Sequence, residues 1–599
     1  MNHCGQAVSK AIEKAKKFLN EENAFRLGEL LTESSHPKTR NLSQAIQADI
    51  AAGIRLLQSV DEDIPPVIER VLQQDVWRDL VQAFVDAVSA GRRIFFTGCG
   101  ATGRLSILLE AAWRRFWQEL GQKQVPMRAK TREIENAVVS VMAGGDFALI
   151  KSVEGFEDFP QFGQAQLKQA GVQKGDVVVA ITEGGETPFV IGTAWQGLEA
   201  GAKVFFVYNN PTDLLCRHVQ RSRRIIEEPR IRTLELATGP MAITGSTRMQ
   251  AVTTELLVVG SALEVAAVKI QDLFQTKPRN SRSKRALRSA TDYYQSFVEL
   301  LSQLSSASVV DVMARVVEFE ENAYRRGGLV TYMTDSYILD VLTDTTERSP
   351  TFTVPAFRKF DDERSPPSWA FVKNPFVASE QAWQDMLGRE PRGLDWGASV
   401  YEQLEAPPVW RVKPPQLGNS EIYKFRIGNE PDASRTDAPD SALVIICVGA
   451  QIEPQMGKVP TKFGPEYHKT AAMVIGPASV DLGADALFHF RCDLPDSPLQ
   501  LWQRLAVKLI FNTISTATMV RMGRVIGNAM VWLSPSNKKL IDRGSRLISQ
   551  QTECSYEQAC IALHQAIEEV DLRAGQGQEV PSPVALAIEN ILSKKNGYA

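Results

Sequence analysis

Four short runs constrain this chain most: RRIFFTG (Arg92 to Gly98), NAVVSVMAGG (Asn136 to Gly145), GDVVVAIT (Gly175 to Thr182) and AKVFFVYNN (Ala202 to Asn210). Each is apolar at nearly every position rather than at every second one, the pattern of a strand buried on both faces. Helix-like stretches, among them GRLSILLEAAWRRFWQEL, TPFVIGTAWQGLEAG and TRMQAVTTELLVVGSALEVAAVKI, stand between or after them. Strands that alternate with helices in this way form a doubly wound parallel sheet, predicted here over roughly residues 68–272. With 599 residues the chain has room for more than one core. The pattern divides it into a helical N-terminal segment (1–66), a first α/β domain (67–275), a second, divergent α/β domain (290–535) and a helical C-terminal domain (536–599). Proline and tryptophan crowd residues 351–442, predicted as an irregular, aromatic-packed insertion because disordered segments are poor in aromatics. The basic stretch TKPRNSRSKRALR (Thr276 to Arg288) reads as a solvated linker, with an anion patch or localisation signal as the other reading.

Charge and cysteine usage narrow the partners. A formal net charge of -3 and a pI near 6.2 give no overall basic field, so neither nucleic acid nor an anionic membrane is expected. The seven cysteines, Cys4, Cys99, Cys216, Cys447, Cys492, Cys554 and Cys560, show no Cys-x-x-Cys spacing and read as reduced thiols. No run reaches the roughly 18 apolar residues of a membrane span, and the opening MNHCGQAVSKAIEKAKKFL lacks the apolar core of a leader. A cytoplasmic protein is expected. The six histidines lie far apart, so neither a metal nor a cofactor is predicted; His36 reads as a turn residue, and Trp113, Phe116 and Trp117 at helical spacing read as core.

The ligand of such a sheet is decided at its strand-to-helix turns. The first turn, GCGATG (Gly98 to Gly103), spells Gly-x-Gly-x-x-Gly, but no strand ending in an acidic residue follows about 20 residues later, so the dinucleotide fingerprint fails on context. Two readings remain: a bare tight turn, and a phosphate held at a helix N-terminus by unpaired amides and the helix dipole, with Thr102 adding a hydroxyl. The second turn, EGGETP (Glu183 to Pro188), is flanked by Thr182 and Thr187, and the third, ATGPMAITGSTRM (Ala237 to Met249), carries Gly245, Ser246 and Thr247. Any one of these hydroxyls could merely cap its helix. Three such turns on one sheet meet at its carboxyl edge, where ligands bind.

Together these segments resemble the sugar isomerase (SIS) domain family, whose successive motifs match GCGATGRLSI, MAGGD, VEGFEDFP, EGGETPFVIG and TGPMAITGSTRMQA. LLTESSHPKTRNL, AVKLIFNTISTATMVRMGRVIGNAMV and PSNKKLIDRGSRLI resemble the branch that holds N-acetylmuramic acid 6-phosphate etherase and the glucokinase regulatory protein. The resemblance runs from about Gly28 to Ala566, is weakest between residues 293 and 494, and implies two SIS-type α/β halves, an arrangement similar to that of the regulatory protein. It implies a phosphorylated hexose or amino sugar as ligand. Thr102, Thr182, Thr187 and the backbone amides of Gly100, Gly103 and Gly185 would surround the phosphate, and Ser246 and Thr247 would line the sugar.

Elimination of lactate, the etherase chemistry, needs a positioned acid and base. Of the two glutamates that the resemblance implies, one matches Glu157. The other falls at Ala112; Glu110, two residues earlier and about 200° round a helix, is a weak substitute, and Glu183 and Glu186 beside the second turn are further candidates. Ala101 and Gly184 stand where the family carries hydroxyls. Leu256 stands where it carries lysine, while Lys508 takes the corresponding place in the second half and is expected to reach across to the phosphate. DTTERSPTF (Asp344 to Phe352) reads as a vestigial or secondary hydroxyl-rich loop. The leading expectation is a sugar-phosphate-sensing regulatory protein with a sugar kinase as candidate partner. The alternatives are an etherase-type lyase built on Glu157 and a sugar-phosphate isomerase.

Overall fold

A computed structural model of the chain describes residues 3–123, 128–153, 155–274, 288–345, 351–478, 480–575 and 581–595. The first sheet holds five parallel strands, β1 (Ile94–Gly98), β2 (Val138–Met142), β3 (Val177–Thr182), β4 (Lys203–Tyr208) and β5 (Ile231–Glu235), in the order β2-β1-β3-β4-β5. Every residue of β1, β2 and β3 is buried, as unbroken apolar runs require. The second sheet is also parallel, with β6 (Val330–Met333), β7 (Ala370–Lys373), β8 (Ala442–Val448), β9 (Lys469–Ile475) and β10 (Ala486–Phe490) in the order β10-β9-β8-β6-β7. Counted from its own first strand, the second sheet repeats the 2-1-3-4-5 order of the first. In each, the winding reverses between the first and third strands, which opens a crevice at the carboxyl edge.

Five helices frame the crevices or join the two halves. α1 (Ala101–Lys123) leaves β1, α2 (Pro188–Glu199) leaves β3, and α3 (Gln250–Phe274) follows the long turn after β5. α4 (Leu501–Arg521) follows the second sheet, and α5 (Lys538–Thr552) opens the C-terminal helices. α3 of the first half packs against α4 of the second. α3 is the one helix among the described residues long and apolar enough to cross a membrane, and its apolar window is entirely buried inside the protein. Trp113 and Trp117 of α1 are fully buried in the core.

The segment predicted as irregular is partly regular, since it contains β7 and the helix Ser379–Leu387. It does pack through aromatics: Trp410 lies 5.3 Å from Phe156 of the first half, and Trp396 and Tyr401 join the same cluster. α5 and the helices Tyr556–Gly575 and Pro583–Lys595 share a small core of their own, and the first helix, His3–Glu21, packs on Tyr556–Gly575. Residues 276–287 of the basic stretch and 346–350 of DTTERSPTF lie outside the described residues.

Candidate functional site

A cleft of about 200 Å³ opens at the carboxyl edge of the first sheet, where the windings of β1 and β3 diverge. The turn after β1 brings the N-terminus of α1 to it. Gly100 there has φ +56°, a left-handed conformation that glycine adopts without strain, and Gly100 and Ala101 line the cleft. Gly103 faces away from it. A Cβ on Gly103 would meet Met142 Cγ at 2.5 Å, so a side chain there would push α1 off β2. The Thr102 hydroxyl is buried, donating to Cys99 O (3.0 Å) and accepting from Cys99 N (3.1 Å), and so closes the turn.

The turn after β3 follows the same division. Thr182 is fully buried and its hydroxyl meets that of Thr187 at 3.0 Å; Thr187 reaches the cleft and Thr182 does not. Gly185, at φ +73°, turns inward over Tyr208 and Leu215. In the third turn Ser246 and Thr247 both line the cleft. α3 begins only at Gln250, so these hydroxyls stand before the helix with no hydrogen-bond partner among the described residues.

The charged groups come from three directions. Glu157 accepts from Asn537 Nδ2 (2.6 Å) and pairs with Lys539 Nζ (3.5 Å), with the Cys99 thiol at 3.6 Å. Glu183 also lines the cleft, and burial pushes its carboxyl up to about 6 despite hydrogen bonding to its own backbone and the pull of Lys539. Lys539 opposes burial through Glu157 and, at 3.6 Å, Glu186, which together hold its pKa above the usual lysine range. Arg104, Arg248 and Arg543 complete the wall, so four cations face two carboxylates. Arg543 is itself fixed by Glu33, which Arg546 also grips at 2.6 Å; against the cost of burial, these guanidiniums bring Glu33 down to about 2. The α5 N-terminus carries Asn537 as its cap, accepting from Leu540 N at 2.9 Å.

Besides Thr102, Gly103, Thr182 and Gly185, three expected charged positions fall outside the cleft. Glu110 is fully buried, bonded to Arg114 (2.9 Å), Arg389 (3.0 Å), Arg392 (2.9 Å) and the Ser140 hydroxyl (2.6 Å). Burial works against its charge, but the three arginines hold it well below the usual carboxylate range, which removes it as a proton donor or acceptor. Lys508 does not reach the cleft. Its ammonium, 4% exposed, holds the Arg248 carbonyl at 3.1 Å and Asp344 at 3.4 Å, because an ammonium so deep needs a buried counter-charge. Glu186 stands behind Lys539 and beside Arg221 (3.4 Å), off the lining. Ala112 is in the apolar core, so a carboxylate at that position would not face this cleft either. Asn537, Lys539 and Arg543 are site residues that the sequence reading passed over. The available signal was Asn before a Lys-Lys pair at the start of an amphipathic helix.

Residues 78–196 match the family model described as the glucokinase regulatory protein N-terminal SIS domain. N-acetylmuramic acid 6-phosphate etherase 1 of Bacillus licheniformis is 28% identical over 268 residues, 44% of this chain and 78% of that protein. The N-acetylmuramic acid 6-phosphate etherase of Halalkalibacterium halodurans is 30% identical over 275 residues, 44% of this chain and 82% of its own length. This chain belongs to the N-acetylmuramic acid 6-phosphate etherase family. Among solved structures, tagatose-6-phosphate ketose/aldose isomerase from Escherichia coli is 10% identical, with a TM-score of 0.41 over 78% of this chain and 94% of that one. The etherase-family relatives correct the leading expectation: proteins matched over most of their own length are named as etherases, not regulators. The kinase partner expected of a regulator falls with that reading.

Proposed function

We propose that the chain is an etherase-type lyase that eliminates lactate from N-acetylmuramic acid 6-phosphate in the cleft of the first half. One observation carries the reading: two carboxylates in different electrostatic settings face one cleft that is otherwise cationic. Glu157 is ion-paired with Lys539, while Glu183 has no ion pair among the described residues and is pushed up to about 6. Environments that separate two carboxyl groups in this way assign the base and the acid. Glu157 takes the proton from the carbon next to the one bearing the ether. The electron pair left behind forms the new double bond and expels lactate, whose oxygen takes the proton of Glu183. The phosphate sits at the α1 N-terminus against Gly100 and Ala101, where unpaired amides and the dipole favour an anion, with Thr187, Ser246 and Thr247 donating hydroxyls and Arg248 adding charge. In this reading Thr102, Gly103, Thr182 and Gly185 shape the turns and Lys508 steadies the Arg248 loop from behind. The test is lactate release from N-acetylmuramic acid 6-phosphate by the purified chain. Lactate that appears with the natural protein and disappears with Glu157→Gln supports the lyase; binding of the sugar phosphate without lactate overturns it.

A further inference from the structure

A second and larger cleft, about 600 Å³, lies between the helices Ile50–Asp61 and Ile64–Leu72 of the N-terminal segment and Ala290–Leu304, Ala307–Arg325 and α4 of the second half. Nothing in the lyase chemistry uses it. Its wall is apolar along Pro65, Leu301, Leu304, Met313 and Leu509. Into it faces the carboxyl of Asp61, 5% exposed and without a hydrogen bond or ion pair among the described residues. Gln58 stands one helical turn away. Its amide nitrogen donates to Leu304 O at 2.9 Å, but its Oε1 is buried with no partner. Buried acceptors left unpaired are rare in folded proteins. Gln58 Oε1 is one, and it stands in the same wall as the Asp61 carboxyl, around a cavity whose size suits a small molecule.

The charge around the cavity is net acidic. Asp61, Glu62 and Glu69 line it against Arg55 alone, and the Arg55 guanidinium is turned to Ser305 O at 3.4 Å. The lining is net acidic, which disfavours an anion, and its unpaired carboxyl, Asp61, is an acceptor. We infer that this cleft binds a small organic ammonium, whose N–H groups satisfy Asp61 and Gln58 while its apolar body packs on Leu301, Met313 and Leu509. Burial pushes Asp61 up to about 7; Lys508 lowers it, and Asp63 and Glu62 raise it. A ligand cation would supply the direct ion pair that the carboxyl lacks.

The probe is cyclohexylammonium, followed on the full chain by ligand-observed NMR, with cyclohexanol and cyclohexanecarboxylate as isosteric controls. Saturable binding of the ammonium, at least tenfold tighter than either control and at least tenfold weaker in Asp61→Asn, supports the site. Gln58→Leu gives the same test if Asp61→Asn does not fold, with at least a threefold loss expected. Equal binding of the alcohol and the ammonium, no saturable binding of the ammonium, or binding untouched by these substitutions in folded protein would overturn it.

Discussion

The two halves share one strand order and differ at their crevices. In the first, the turn after β1 is glycine-rich, presents the α1 N-terminus and leaves an open cleft. In the second, the turn after β6 runs Thr334, Asp335, Ser336, Tyr337 without a glycine, and a void of about 10 Å³ lies beside it among the described residues. The space is taken by the protein's own cations: Arg115 of α1 donates to Ser336 O at 2.9 Å, and Arg504 of α4 pairs with Asp340 at 2.7 Å. Topology supplies a crevice in both halves. Whether the crevice receives a ligand or a guanidinium is decided by the side chains of a few turn residues.

The comparison is broken most directly at its carboxylates. Glu157→Gln should lower lactate release about 1,000-fold, or ~4 kcal/mol of barrier, the range of a lost acid–base group. Asp335→Asn, beside the filled crevice, should leave the rate within about twofold; equal losses in the two variants would show that the crevices are not functionally distinct. Arg504→Met strips the buried Asp340 carboxyl of its ion pair and should cost about 3 kcal/mol in denaturant unfolding, without changing affinity for the sugar phosphate.

Glu183 gives the next effect. Its folded carboxyl holds a proton to about pH 6, against 4.5 for an ordinary glutamate. Between those values the folded chain binds more protons than the unfolded one, so stability falls as pH rises through the window, by about 2 kcal/mol in total. Glu183→Gln should abolish that decline. Because Glu183 must be protonated to serve as the acid, turnover should also fall above pH about 6 in the natural protein. The smallest loss expected at the cleft belongs to Thr187→Val, which removes one neutral hydroxyl pair with Thr182 and should weaken sugar-phosphate binding by about 1 kcal/mol, or fivefold in titration.

How much of this was legible in the sequence depends on the range of the interactions. The first sheet was, because apolar runs and glycine turns are local signals, and Gly100, Thr187, Ser246 and Thr247 were placed at the cleft by the same means, whereas Glu157 came from the resemblance of VEGFEDFP to the family. β7 was not: Ala370–Lys373 is four residues long and sits among prolines and tryptophans that mask its pattern. Glu110 and Lys508 were misjudged because their partners, Arg389 and Arg392 for one and Asp344 for the other, lie far off along the chain. Lys539 was missed because a lysine at a helix start looks like any exposed lysine until the fold sets it between Glu157 and Glu186.

Arg389 has a wider consequence. It arises in the second half, between β7 and β8, yet it pairs with Glu110 and Asp146 of the first and is 7% exposed there. Pulling the halves apart would leave Glu110 of the first half, 1% exposed, without two of its three guanidinium partners, and so with a buried charge largely uncompensated. The two sheets should therefore melt together rather than in two steps, which calorimetry of the full chain would show as a single transition.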